Sequence, residues 1–90
     1  MSGLEEKIKA GALIVDVRTP EEFEEEAYPN AVNIPVDEVQ RRLKEFGDLQ
    51  STVIVYCASG ARSAYAARIL KNAGYKDVVN AGGLFDMPMS

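Results

Sequence analysis

Apolar residues along the chain fall into two patterns, short continuous runs and one-sided stripes. Ala12-Leu13-Ile14-Val15-Asp16-Val17 is nearly all apolar, which predicts a strand buried on both faces, the habit of a parallel sheet. Ala31-Val32-Asn33-Ile34 predicts a short strand closed by Pro35, and Thr52-Val53-Ile54-Val55-Tyr56, the most β-branched segment, the central strand. Asp77-Val78-Val79-Asn80 predicts a last strand before Gly82-Gly83. Helical stripes lie between these runs. Leu4 and Ile8 mark a short helix from Leu4 to Ala10. Thr19, Pro20 and Glu22 have the form of a capping box with proline in the first turn, predicting a helix through Phe23 to about Glu26. Val36, Val39, Leu43 and Phe46 share one face of a predicted helix that starts at Val36 or Asp37 and stops at Gly47. Ala66, Ile69, Leu70 and Ala73 line a helix from Ala64 to Ala73, stopped by Gly74. Strands alternating with helices predict an α/β fold, a mainly parallel central sheet of about four to five strands flanked by helices.

Composition narrows the function classes. The chain has 90 residues, enough for a single domain over 1–90 that buries a little over ~60% of its unfolded surface. Apolar residues make up 47% and charged ones 27%, an ordinary soluble balance. The net charge of -4 argues against nucleic acid as a partner. No run approaches the ~20 apolar residues of a membrane span, and Met1 to Gly11 lacks the apolar core of a secretory signal. One cysteine and no histidine exclude an internal disulfide, His-ligated metal sites, Cys–His nucleophile pairs and Ser–His–Asp triads. A free cysteine without a targeting segment predicts a cytoplasmic protein, expected to be a monomer.

The sharpest signal follows the central strand. Cys57 stands at its carboxyl end, where ligands sit in open α/β sheets. Ala58, Ser59, Gly60 and Ala61 are small enough for successive N–H groups to turn inward around the sulfur as an anion nest. The following helix points its N-terminus at the same spot, and Arg62 adds a full positive charge before Ser63. Each feature favours thiolate over thiol. A free cysteine titrates near ~8.5, and such surroundings bring it to about 3.5–7.5. With no histidine, these groups must activate Cys57 by themselves.

Cys57-x-x-Gly60-x-Arg62-Ser63 after an apolar strand resembles the active-site loop of single-domain rhodanese-like sulfurtransferases. The resemblance covers most of the chain. Asp16-Val17-Arg18-x-x-x-Glu22-Phe23 is similar to the family's first signature, Ala31-Val32-Asn33-Ile34-Pro35 to its second strand, and Gly74-Tyr75, Val78-Val79 and Gly82-Gly83 to its end. It implies a rhodanese fold and a cysteine that carries sulfane sulfur as a persulfide. Cys57 is then the catalytic residue, Ala58 to Ser63 bind the substrate sulfur, and Arg62 assists an anionic donor. The chain departs from the pattern at Ala27, where the family has histidine, and at Asn30, where it has glycine. Phe85 or Met87 must stand for the family's aromatic after the double glycine.

Two roles are open to Asp16 and Arg18 at the end of the first strand. They border the active-site mouth, or Asp16 hydrogen-bonds loop backbone while Arg18 pairs with Glu22; the structural role is the preferred one. The acids from Glu21 to Glu26 read as a solvated helix face in preference to a docking surface. The function expected is transfer of sulfane sulfur from thiosulfate or a persulfide to a thiol, cyanide or a thioredoxin-like acceptor, without metal or organic cofactor. One rival is a phosphatase or arsenate reductase; there the loop is Cys-x5-Arg, one residue longer than the spacing of Cys57 and Arg62. The other is a non-catalytic module that carries sulfur or binds a partner.

Overall fold

The computed structural model describes residues 3–89, so Met1, Ser2 and Ser90 of the expected 1–90 domain lie outside the described residues. Helix α1 (Gly3–Lys9) leads into strand β1 (Leu13–Asp16), and α2 (Pro20–Glu25) into β2 (Val32–Asn33). Two 3-10 segments, Val36–Glu38 and Gln40–Phe46, precede β3 (Thr52–Cys57). Helix α3 (Ala61–Asn72), β4 (Asp77–Gly83) and a 3-10 turn (Leu84–Asp86) complete the chain. The four strands form one sheet in the order β2-β1-β3-β4, and every pairing is parallel. The α/β fold with a parallel central sheet expected from the sequence is the fold observed, with four strands.

Alternation along β3 divides the core. Val53, Val55 and Cys57 face one layer, packed on α3 through Ala66, Ala67 and Leu70. Ile54 and Tyr56 face the other, where Met87, Leu4 and Ile8 cover them. A central strand of a parallel sheet must be apolar on both faces, and all five of these β3 residues are fully buried or nearly so. Met87 is buried while Phe85 is 84% exposed, so the methionine closes the second layer.

Three elements depart most from the expected ones. The stretch from Val36 to Phe46 is not one α-helix but two tighter segments that part at Val39, the second kinked within itself at Arg42 with φ -116° and ψ 28°. Tertiary anchors decide this. The Val36 N–H donates to the Val17 carbonyl, Val39 and Phe46 are fully buried, and the Tyr75 hydroxyl reaches the Leu43 and Gly47 carbonyls at 3.0 and 2.7 Å. A short segment held at both ends winds to fit its anchors, and i→i+3 bonds serve where α geometry cannot. Helix α3 begins at Ala61, not Ala64, because Gly60 takes the left-handed conformation at φ 105° and turns the chain into the helix at once. Strand β4 runs on to Gly83, past Asn80: the register gains a residue between Val55 and Cys57, and Gly83 comes to lie opposite Cys57. Asn30, at φ 69°, holds the left-handed position that glycine would fill.

Candidate active site

Strand β3 carries Cys57 to the carboxyl edge of the sheet, and the turn through Gly60 brings the start of α3 back over its sulfur. The Gly60 N–H donates to Cys57 Sγ at 3.0 Å and the Ser63 N–H at 3.3 Å. Ser63 is in the first turn of α3, where helical N–H groups lack partners within the helix; the sulfur takes one of them. The Ser63 hydroxyl lies 3.4 Å from Sγ. Cys57 is 1% exposed. Burial opposes ionisation, yet the Ser63 hydroxyl and the N–H groups of Ser63, Gly60 and Ser59 outweigh it and hold the thiol below its ordinary value. Ala58, Ser59 and Ala61 form the exposed rim, while Ser63 is fully buried beneath it.

Arg62 does not stand free beside the sulfur. Its guanidinium spans the Glu22 carboxylate in two contacts, 2.8 and 3.2 Å. Glu22 also accepts the Thr19 N–H at 3.0 Å, completing the capping box of α2. The expected Arg18–Glu22 pair is thus replaced. Arg18 instead binds Asp16, at 2.7 Å from Nη2 to Oδ2, with both side chains buried. Asp16 accepts the Arg18 N–H as well, Arg18 donates to the Glu26 carbonyl at 2.6 Å, and its guanidinium lies over the Tyr56 ring at 5.7 Å. With Arg18 folded onto its own strand end, Glu22 is left for Arg62. The sequence held no sign of this exchange, because Glu22 and Arg62 are remote in the chain.

The end of β4 braces the loop from outside. A Cβ on Gly83 would stand 2.2 Å from the Ala58 carbonyl oxygen, and one on Gly82 2.7 Å from Asp86 Oδ2. Only glycine lets β4 approach the cysteine loop this closely. Asp86 accepts the Gly83 N–H at 2.8 Å, and Asn80, read from the sequence only as a strand end, reaches Ser63 Oγ at 2.6 Å. The double glycine was the signal that a backbone approaches here; nothing marked Asn80. Among the described residues, no group of three or more Cys, Asp or Glu side chains is placed to hold a metal ion.

The arrangement offers one acidified sulfur in a small N–H cradle, with a paired arginine at its mouth. Known proteins are similar to the chain over most of its length. Thiosulfate sulfurtransferase PspE of Escherichia coli (strain K12) is 45% identical over 76 residues, covering 83% of this chain and 73% of that protein. A Bacillus subtilis (strain 168) protein named for a sulfur-carrier role, YrkF, is 42% identical over 67 residues, and the chain spans 36% of its length. A solved structure described as rhodanese with anions from E. coli superposes with a TM-score of 0.83 at 42% identity, covering 89% of this chain and 95% of that one. The rhodanese-like domain family matches residues 2–86, and the chain belongs to that family of sulfurtransferases.

Proposed function

We propose that the protein moves sulfane sulfur from thiosulfate or a similar donor to a thiophilic acceptor through a persulfide on Cys57. The observation that carries this reading is the convergence of the Gly60 N–H, the Ser63 N–H and the Ser63 hydroxyl on Cys57 Sγ. In the first half-reaction the Cys57 thiolate attacks the outer sulfur of thiosulfate. The new S–S bond forms as the bond to the sulfonate sulfur breaks, and sulfite leaves with the electron pair. In the second, cyanide or a thiolate attacks the outer sulfur of the persulfide and departs as thiocyanate or a new persulfide, returning the Cys57 thiolate. This is covalent catalysis in two steps, with ping-pong kinetics. Ala58 to Ser63 hold the transferred sulfur, and Arg62 draws the anionic donor to the mouth. No second cysteine exists in the chain, so the sulfur leaves to an outside acceptor: a small thiol, cyanide or a thioredoxin-like protein.

A second reading, a sulfur carrier without efficient turnover, is favoured by the burial of Cys57 and by the likeness to the Bacillus carrier. Intact-protein mass after incubation with thiosulfate tests the chemistry. Gain of one sulfur atom, reversed by cyanide and absent in Cys57→Ser, is expected; no gain overturns both readings. Steady thiocyanate production with thiosulfate and cyanide then separates enzyme from carrier.

A further inference from the structure

Asn80 lies on β4 opposite Val55, and its amide is fixed by three neighbours. Its Oδ1 accepts the Gly82 N–H at 3.0 Å, and its Nδ2 donates to the Gly60 carbonyl at 3.4 Å. The amide oxygen therefore faces Ser63, and at 2.6 Å from Ser63 Oγ it accepts, so the hydroxyl donates. That hydroxyl has a single proton. Cys57 Sγ lies at 3.4 Å from the same oxygen, and the Gly60 and Gly82 carbonyls at 3.2 and 3.4 Å. While Cys57 is a thiol, its S–H can donate to Ser63 Oγ, which leaves the Ser63 proton on Asn80. Once the sulfur is a thiolate it only accepts, and Ser63 serves it only by turning its proton away from Asn80.

We propose that Asn80 is a positioning residue that competes with Cys57 for the Ser63 hydroxyl proton, favouring the thiol and yielding the proton to the sulfur when the thiolate forms. The inference rests on the reading of Cys57 as the reacting sulfur. The charged groups around the loop are Arg62 with Glu22, the Asp16–Arg18 pair and Asp86, with Arg68 and Lys71 of α3 lining the same surface hollow as Asn80, and the test leaves all of them in place. Asn80 is exposed, so its replacement spares the core.

The test is the pH dependence of Cys57 alkylation by iodoacetamide, with thiolate absorbance as a check. Asn80→Ala removes the competitor and lowers the midpoint, by about one pH unit for a hydrogen bond to a charged group. Asn80→Asp keeps the acceptor, strengthens it, and raises the midpoint. The shift caused by Asn80→Ala disappears when Ser63 is already Ala, and the rise caused by Asn80→Asp shrinks to its direct charge effect. An unchanged midpoint, or an Asn80→Ala shift of equal size with and without the Ser63 hydroxyl, overturns the proposal and leaves Asn80 as a loop brace only. Alkylation needs no sulfur donor, so its outcome is separate from the mass gain with thiosulfate that tests the transfer reading.

Discussion

Glu22 holds Arg62 across the mouth of the cysteine loop, one carboxylate spanning the guanidinium at 2.8 and 3.2 Å. The pair joins the start of α2 to the start of α3, and it gives Glu22 two tasks, since the same carboxylate closes the capping box with Thr19. Arg62 is also charge-coupled to Cys57. The positive charge that Arg62 brings to the cysteine loop is therefore shared.

Glu22→Gln should unshare it. Glutamine still suits a capping box, so the melting temperature should stay within about 5 °C of the parent. The Arg62 charge is then uncompensated and favours the Cys57 thiolate. The thiol midpoint should fall by roughly 0.5 pH unit, the scale of a partly exposed ion pair, and the KM for thiosulfate should fall with it. Thiolate absorbance against pH and donor kinetics measure both; an unchanged midpoint and KM would show that Glu22 does not restrain Arg62.

The same pair sets an acid limit. The Arg62 hydrogen bond, then the Thr19 N–H, hold the Glu22 carboxyl at about 2. A carboxyl lowered on folding contributes stability that is fully present above its unfolded value, about 4.3, and lost as pH falls through the folded one. The melting-temperature difference between the parent and Glu22→Gln should thus shrink between about pH 4.3 and 2. Both side chains are about a third exposed, so the difference should also shrink with added salt. Parallel melting curves across that range would contradict the assignment.

Gly83→Ala tests the brace behind the loop. The added Cβ would meet the Ala58 carbonyl oxygen at 2.2 Å, a backbone atom that moves only with the cysteine loop. Overpacking of this kind costs about 1–3 kcal/mol, a loss on the order of 10 °C in melting temperature for a domain of this size. Displacing Ala58 also misplaces the Ser59 and Gly60 amides, and sulfur loading should slow about 10–100-fold. Gly3→Ala, whose Cβ meets nothing within 4 Å, is the control. Equal loading rates in the two variants would mean the loop does not depend on β4.

What the sequence disclosed was local or strongly patterned. Thr19, Pro20 and Glu22 specify their own helix start, and the capping box is present as read. The β-branched run into Cys57 could only be a buried strand. Gly60 read as one of the small residues of the cysteine loop, not as the point straight after which the helix would begin. The segment from Val36 to Phe46 misled because its apolar stripe is real but its winding is set by Val17 and Tyr75, residues far along the chain. The partners of Arg18, Arg62 and Ser63 were equally hidden. Arg62 and Ser63 find theirs on other loops at the carboxyl edge of the sheet, which no spacing encodes, and Arg18 takes the neighbouring Asp16 over Glu22.

Arg62 variants separate charge from geometry at the mouth. Arg62→Ala removes the positive charge and leaves the Glu22 carboxylate unpaired beside an anionic donor. The KM for thiosulfate should rise about tenfold or more, the scale of one lost charge-assisted contact, and the Cys57 midpoint should rise as well. If the harm comes partly from the exposed carboxylate, Glu22→Gln added to Arg62→Ala should recover part of the KM, although Glu22→Gln alone acts through the arginine that the double variant lacks. Arg62→Lys should fall between parent and Ala, since a point charge cannot span both carboxylate oxygens. Donor kinetics on the four proteins, with sulfur loading followed by mass, decide it. A double variant no better than Arg62→Ala would place the whole effect on the lost guanidinium; a KM unmoved by Arg62→Ala would remove Arg62 from donor binding altogether.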